Sequence, residues 1–185
     1  MLRIDKHIAR RMKWHAPGIF LLALSIMCAA CSNSSPELDK RKFNGVGQAA
    51  QAVRSVLSSG GDYKAFGAAL QKLSAEITTL KGSSLTDQEN ELMKDFSDLC
   101  SIYQDGYILW KYKIEFVRYG FVPKGLIYVG QDIEPIIVKY RIPTESHMYT
   151  LTQQSWKSVP EASIQMIWTN ADSQMQIINN ILSYR

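Results

Sequence analysis

The stretch DYKAFGAALQKLSAEITTLKG, Asp62 to Gly82, decides the fold. Tyr63, Phe66, Leu70, Leu73, Ile77 and Leu80 recur at intervals of three, four, three, four and three residues. That is the period of one apolar stripe on an α-helix. Asp62 suits the start, because its carboxylate accepts from first-turn N–H groups that lack a helical partner. Gly82 suits the end.

The same period extends to both sides. Upstream, Phe43, Val46, Ala50, Val53 and Leu57 form a stripe that Gly60-Gly61 stops. Downstream, Thr86 and Glu89 have the spacing of a capping box, in which each side chain reaches the other's backbone N–H. Leu92, Phe96, Leu99, Tyr103, Tyr107, Trp110, Ile114 and Val117 then carry the stripe to about Arg118. Three helices joined by short turns must run antiparallel. The third is roughly 50 Å long at about 1.5 Å per residue, so it overhangs the second unless it kinks near Gly106.

From Tyr119 the pattern changes. Gly120, Pro123, Gly125, Gly130, Pro135 and Pro143 punctuate GLIYV and IIVKYRI. A small hairpin and a short helix starting near Pro135 fit these runs equally, because periodicity cannot separate runs so short. Met148, Leu151 and Trp156 have the spacing of a short helix interrupted by Ser158 and Pro160. Pro160 then suits the first turn of a last helix bearing Ile164, Trp168, Ala171, Met175, Ile178 and Leu182. The expected class is mainly α: an antiparallel helical bundle with an irregular or small β insert near residues 120–143.

The first thirty residues read differently. Met1 to Gly18 carries five basic residues and one acid, and Ile19 to Ala30 is uncharged. A basic stretch, a short apolar stretch and small residues at a cut make a secretory signal. As a helix the apolar part rises only roughly 18 Å, short of the roughly 30 Å hydrocarbon core. Ala29-Ala30 before Cys31 resembles the lipobox of bacterial lipoproteins, with Cys28 where that class usually has Leu. The resemblance implies a diacylglycerol on Cys31, cleavage before it, and attachment to the cell envelope. Ser32 after the cysteine implies the outer membrane. The expected organisation is a cleaved signal over 1–30, a lipidated cysteine and polar tether over 31–42, and one helical domain over 43–185. Met12 opens a stretch, MKWHAPGIFLLALSIMCAAC, that would itself be a signal of ordinary length, so translation from Met12 is an alternative start.

This organisation removes several function classes. The chain's net charge is +4, but residues 31–185 hold sixteen basic and sixteen acidic side chains. The basicity that would point to nucleic acid therefore lies in the leader. Cys28 and Cys31 end a hydrophobic run and lack the further ligands that zinc needs, so they are neither a metal site nor a redox pair. His147 is the one histidine past the leader, and no metal or cofactor is expected.

Three candidates for chemistry remain. Cys100 and His147 are the available Cys–His pair for a hydrolase, although Cys100 falls beside the apolar stripe, where a thiol packs as a small hydrophobe. Asp87, Glu91, Asp95 and Asp98 share a helix face and read as solvated, with Asp87 and Glu89 complementing the helix dipole. The aromatics are the richest feature. Tyr103, Tyr107 and Trp110 lie on the stripe, whereas Tyr112 and Phe116 lie off it and must touch something else. Packing by the insert is one reading, and a hydrophobic groove bordered by Trp110, Tyr112 and Phe116 is the other. DYKAFGAALQKL with IYQDGYILWKYKIEF also resembles small exported bacterial proteins of no known activity, which implies a helical exported domain and no catalytic residues. The expected function is a non-enzymatic structural, adaptor or binding module for an envelope protein partner. A carrier for a hydrophobic ligand is the alternative.

Overall fold

The computed structural model describes residues 38–118, 120 and 122–183. The expected signal, Cys31 and most of the tether lie outside the described residues. The compact body runs from Leu38, five residues ahead of the expected boundary. A 3-10 turn over Lys40–Phe43 leads into α1 (Asn44–Ser58), α2 (Tyr63–Lys81) and α3 (Asp87–Arg118). Then come β1 (Leu126–Tyr128), α4 (Glu134–Tyr140), β2 (Glu145–Met148), β3 (Ser155–Pro160) and α5 (Ser163–Ser183).

The local chemistry explains the helix ends. Asp62 Oδ1 accepts from Ala65 N–H at 2.7 Å and starts α2. Between α1 and α2, Gly60 is left-handed at φ +71°, Gly60 N–H reaches Leu57 O, and Gly61 N–H reaches Val56 O at 2.8 Å. That pair of bonds reverses the chain and satisfies carbonyls that the helix leaves free. Gly82 caps α2 in right-handed geometry at φ −78°, so its left-handed freedom is not used.

Thr86 and Glu89 form the expected capping box: Thr86 N–H donates to Glu89 Oε2 at 2.9 Å, and Glu89 N–H donates to Thr86 Oγ1 at 3.3 Å. Glu89 departs from the solvated face, since it is 1% exposed. It also accepts from Lys42 Nζ at 2.7 Å and Asp39 N–H at 3.2 Å, which pins the chain's entry onto α3. The lysine first, then the Thr86 N–H, holds this carboxyl below the usual carboxylate range. Its stabilising effect is complete above that range and is lost as pH falls through the lowered native value. Glu89→Gln is therefore expected to melt below wild type at neutral pH, with the gap closing in acid. Melts at both pH values check this; a pH-independent gap would refute it.

The bundle packs α1 on α2, α2 on α3, and α3 on α5. Phe43, Val53, Phe66, Leu73, Phe96, Leu99 and Ile178 build its first core. Fully burying each such side chain contributes about 1.5–3 kcal/mol. The overhang of α3 is real and is covered by the insert. Leu109 meets Ile127, Ile133, Ile136, Val159 and Ile167 in a second core. Lys139 Nζ and Tyr140 Oη, at 2.6 and 2.9 Å from Asp105 Oδ2, clamp α4 to α3. Gly106 does not interrupt α3.

The short-helix reading of the insert holds, because IIVKY lies in α4; GLIYV supplies β1, which pairs with β3 outside the insert and so makes no hairpin within it. The sheet has the order β1-β3-β2 with antiparallel pairing, Ile127 opposite Val159 and His147 opposite Trp156. The expected short helix through Met148, Leu151 and Trp156 is corrected to a hairpin. Met148 and Leu151 are 62% and 97% exposed, so their three-residue spacing marks no buried face. Alternation governs instead, with His147 and Trp156 sharing one side of the pleat. Pro160 likewise ends β3, and the last helix begins at Ser163.

Candidate ligand-binding cleft

A cleft of about 930 Å³ opens where the end of α1, the middle of α3 and the first half of α5 meet the end of β3. That volume is near the upper end of ligand pockets, about 300–1,000 Å³. Three of its aromatic walls share one support. Phe66, fully buried on α2, packs with ring centroids 6.0 Å from Tyr103, 5.8 Å from Trp110 and 5.4 Å from Trp168. Tyr63 braces Trp110 edge-on at 6.0 Å while stacking on Tyr107 at 4.3 Å. The Trp168 indole lies across α3 at Gly106, where a methyl group would overlap its six-membered ring. One helical turn earlier on the same face, Tyr103 packs against that indole at 6.4 Å.

Four charged side chains line the cleft, two basic and two acidic. Arg54 Nε and Asp172 Oδ1 pair at 2.9 Å, joining α1 to α5. Lys113 pairs with Glu161 on the other side. Each cation is matched, so the walls offer no surplus charge. Both pairs are exposed enough for solvent to screen them, and their contribution to stability is small.

Tyr103 is the exception to an otherwise satisfied interior. It is 1% exposed, and its hydroxyl is the one buried side-chain polar atom without a hydrogen-bond partner among the described residues. Burial pushes its pKa up to about 12, the Asp172 carboxylate pushes the same way, and Arg54 partly offsets both. Tyr103 lines the cleft, and Asp172 and Arg54, the charges that act on its hydroxyl, line it too. At neutral pH it is a protonated donor. Leaving such a group unpaired costs about 1–3 kcal/mol, which makes it the atom that requires an explanation.

The other candidate residues sort differently. Trp110 lines the cleft, but Tyr112 and Phe116 do not. They start a stack of rings: Tyr112 on Phe116 at 5.2 Å, Phe116 on Tyr128 at 4.9 Å, Tyr128 on Trp156 at 6.2 Å, and His147 on Trp156 at 4.3 Å. Successive planes tilt by no more than 26°, so the faces are spent on one another. Tyr112 also donates to Asp132 Oδ2 at 3.2 Å and lies close over Gly130. This stack fastens the end of α3 to the sheet, as the insert-packing reading requires.

Cys100 lies buried in the first core, and burial raises its thiol pKa. A thiol held protonated is a poor nucleophile. His147 makes its contacts in the sheet, where Nε2 lies 2.7 Å from Ser158 Oγ. Glu145 stands 3.9 Å from the same nitrogen. A serine triad needs its acid on the opposite ring nitrogen and an accessible hydroxyl, whereas Ser158 is fully buried. Along the acidic face of α3, Asp87, Glu91 and Asp98 are exposed, and Asp95 Oδ1 accepts from Gln174 at 3.1 Å. Among the described residues no group of three or more His, Cys, Asp or Glu side chains is placed to hold a metal ion. No helix among them is long and apolar enough to cross a membrane.

Sequence reasoning placed Tyr103 and Trp168 on core stripes and gave Arg54, Asp172, Lys113 and Glu161 no role. The available signal was Gly106, a glycine inside a strong helical pattern, which marks a close approach as readily as a kink. Compared with known proteins, the chain matches no family model, no curated protein and no solved structure.

Proposed function

We propose that this chain is a non-enzymatic binding module of the bacterial cell envelope that holds a small, mainly apolar molecule in the α1–α3–α5 cleft. A lipid on Cys31 and the polar tether after it attach the module to the membrane, in the outer membrane by the resemblance at Ser32. The unpartnered Tyr103 hydroxyl carries the reading. A cavity that only separated helices would be lined by satisfied or apolar groups, whereas this one keeps a buried donor beside two indoles. The adaptor reading has less support, because the large exposed apolar side chains, among them Ile114, Val138, Leu151 and Ile177, are spread over α3, α4, the hairpin and α5. Such scattered residues are ordinary surface.

Two variants test the reading. Ser58 is exposed and lines the cleft, so Ser58→Trp fills it without entering a core. Solvent extracts of the purified full chain, compared by mass spectrometry, are expected to contain a small molecule in wild type that Ser58→Trp lacks. Identical extracts would sink the cleft reading. For the anchor, Cys31→Ser is expected to leave the precursor uncut or the protein released from membranes. Normal membrane attachment of that variant would remove the lipid.

A further inference from the structure

Resting on the cleft reading above, we infer that the ligand is uncharged and presents a hydrogen-bond acceptor, such as a ketone, ester or amide carbonyl, to the Tyr103 hydroxyl, with its apolar body between Trp110 and Trp168. Three independent features carry this. The donor is fixed: Tyr103 is held between Phe66 and Trp168, and its hydroxyl has no partner among the described residues. The polarity follows from the charges: Arg54 with Asp172 and Lys113 with Glu161 neutralise each other on the cleft walls, so neither an anion nor a cation finds a free counter-charge. A charged ligand would give up hydration there with nothing to replace it. The body follows from the walls, since indole faces and Leu57 and Ile164 reward apolar area.

The hydroxyl atom itself is covered, and the half-buried indole of Trp168 is the ring that packs against Tyr103. Binding therefore needs a local movement of the cleft lining that uncovers this atom, while Phe66 and Trp168 hold the Tyr103 ring in place. Selectivity arises in the same way as in other sites that leave a polar group unpaired without the right ligand: a shape-matched molecule lacking the acceptor strands the hydroxyl again.

Three naphthalene probes of similar size test the inference on the full chain: a naphthyl methyl ketone, isopropylnaphthalene, and naphthoate. Binding is read by quenching or shift of the tryptophan emission. The ketone is expected to bind about tenfold more tightly than isopropylnaphthalene, the value of one neutral hydrogen bond to a buried donor. Naphthoate is expected to be weaker than the ketone. Tyr103→Phe should erase the preference by weakening ketone binding alone. Its melting temperature should match or exceed that of wild type, because the substitution removes an unpaired buried group, so the loss cannot be ascribed to unfolding. Equal binding of ketone and isopropylnaphthalene would overturn the acceptor while leaving the cleft reading in place. Tightest binding by naphthoate would overturn the neutrality. Failure of all three to bind wild type would overturn both the inference and the reading beneath it.

Discussion

Phe66→Ala is expected to destabilise the domain by about 3–5 kcal/mol, the usual cost of emptying a buried phenylalanine site. This is a large share of the roughly 5–15 kcal/mol that holds an ordinary domain together. Phe66 is fully buried and touches Tyr103, Tyr107, Trp110 and Trp168, which belong to two other helices. Rigid rings from separate helices cannot close together over the void as flexible side chains would, which places the cost toward the upper part of that range. The loss should also reach the cleft, because three of those rings are its walls. Urea denaturation of wild type, Phe66→Ala and Phe66→Leu checks the energy, with Phe66→Leu intermediate because it refills part of the volume. Ketone affinity of the folded variants checks the second consequence. A loss below about 1 kcal/mol would mean that Phe66 is not the support described here.

Why the helices were legible and the cleft was not follows from the range of the interactions. α1, α2 and α3 are encoded within a few residues: the stripe of Phe66, Leu70, Leu73 and Ile77, the Asp62 cap, and the Thr86–Glu89 box. Each of these reads the same in sequence and in space. The hairpin was misread because Met148 and Leu151, the residues that mimicked a helical stripe, face solvent, and burial is not written in residue type alone. The capping role of Glu89 is local, but its burial is not, because its extra partners, Asp39 and Lys42, are 50 and 47 residues away. The cleft is more remote still. Arg54 meets Asp172 across 118 residues, and no local pattern announces that meeting. Trp110 lines the cleft, whereas Tyr112 and Phe116, two and six positions on, stack on each other and, through Phe116, on Tyr128 of β1, so the expected groove of all three does not form. Helical rotation over a few residues separates a site residue from a structural one, and only the position of the insert says which is which.

Gly106→Ala is the other large effect, and its sign is opposite to the general rule. In an exposed helix interior, alanine in place of glycine stabilises by about 0.8–1 kcal/mol. At Gly106 the new methyl overlaps the six-membered ring of Trp168, a rigid group that cannot yield by rotating one terminal bond. Either α3 and α5 separate, or the indole swings away from Phe66 and Tyr103. Overpacking of this kind costs about 1–3 kcal/mol, and a rigid ring at the contact places it in the upper part of that range, so after the propensity gain a net loss of about 1–2 kcal/mol is expected. Gly67 supplies the contrast within the same protein. A methyl there would lie 2.8 Å from the Tyr107 hydroxyl oxygen and 3.1 and 3.2 Å from two carbons of its half-buried ring, a milder approach that a small slide of that ring along Tyr63 relieves. Gly67→Ala should therefore stay within about 1 kcal/mol of wild type. The decisive variant is the pair Gly106→Ala with Trp168→Leu, which removes the ring that the methyl strikes. Its loss of stability should be smaller than the sum of the two single losses by about 1 kcal/mol or more in a double-mutant cycle, because the clash is present in only one of the singles. Strict additivity would place the cost of Gly106→Ala elsewhere in α3 and would release Trp168 from its assigned seat above Tyr103.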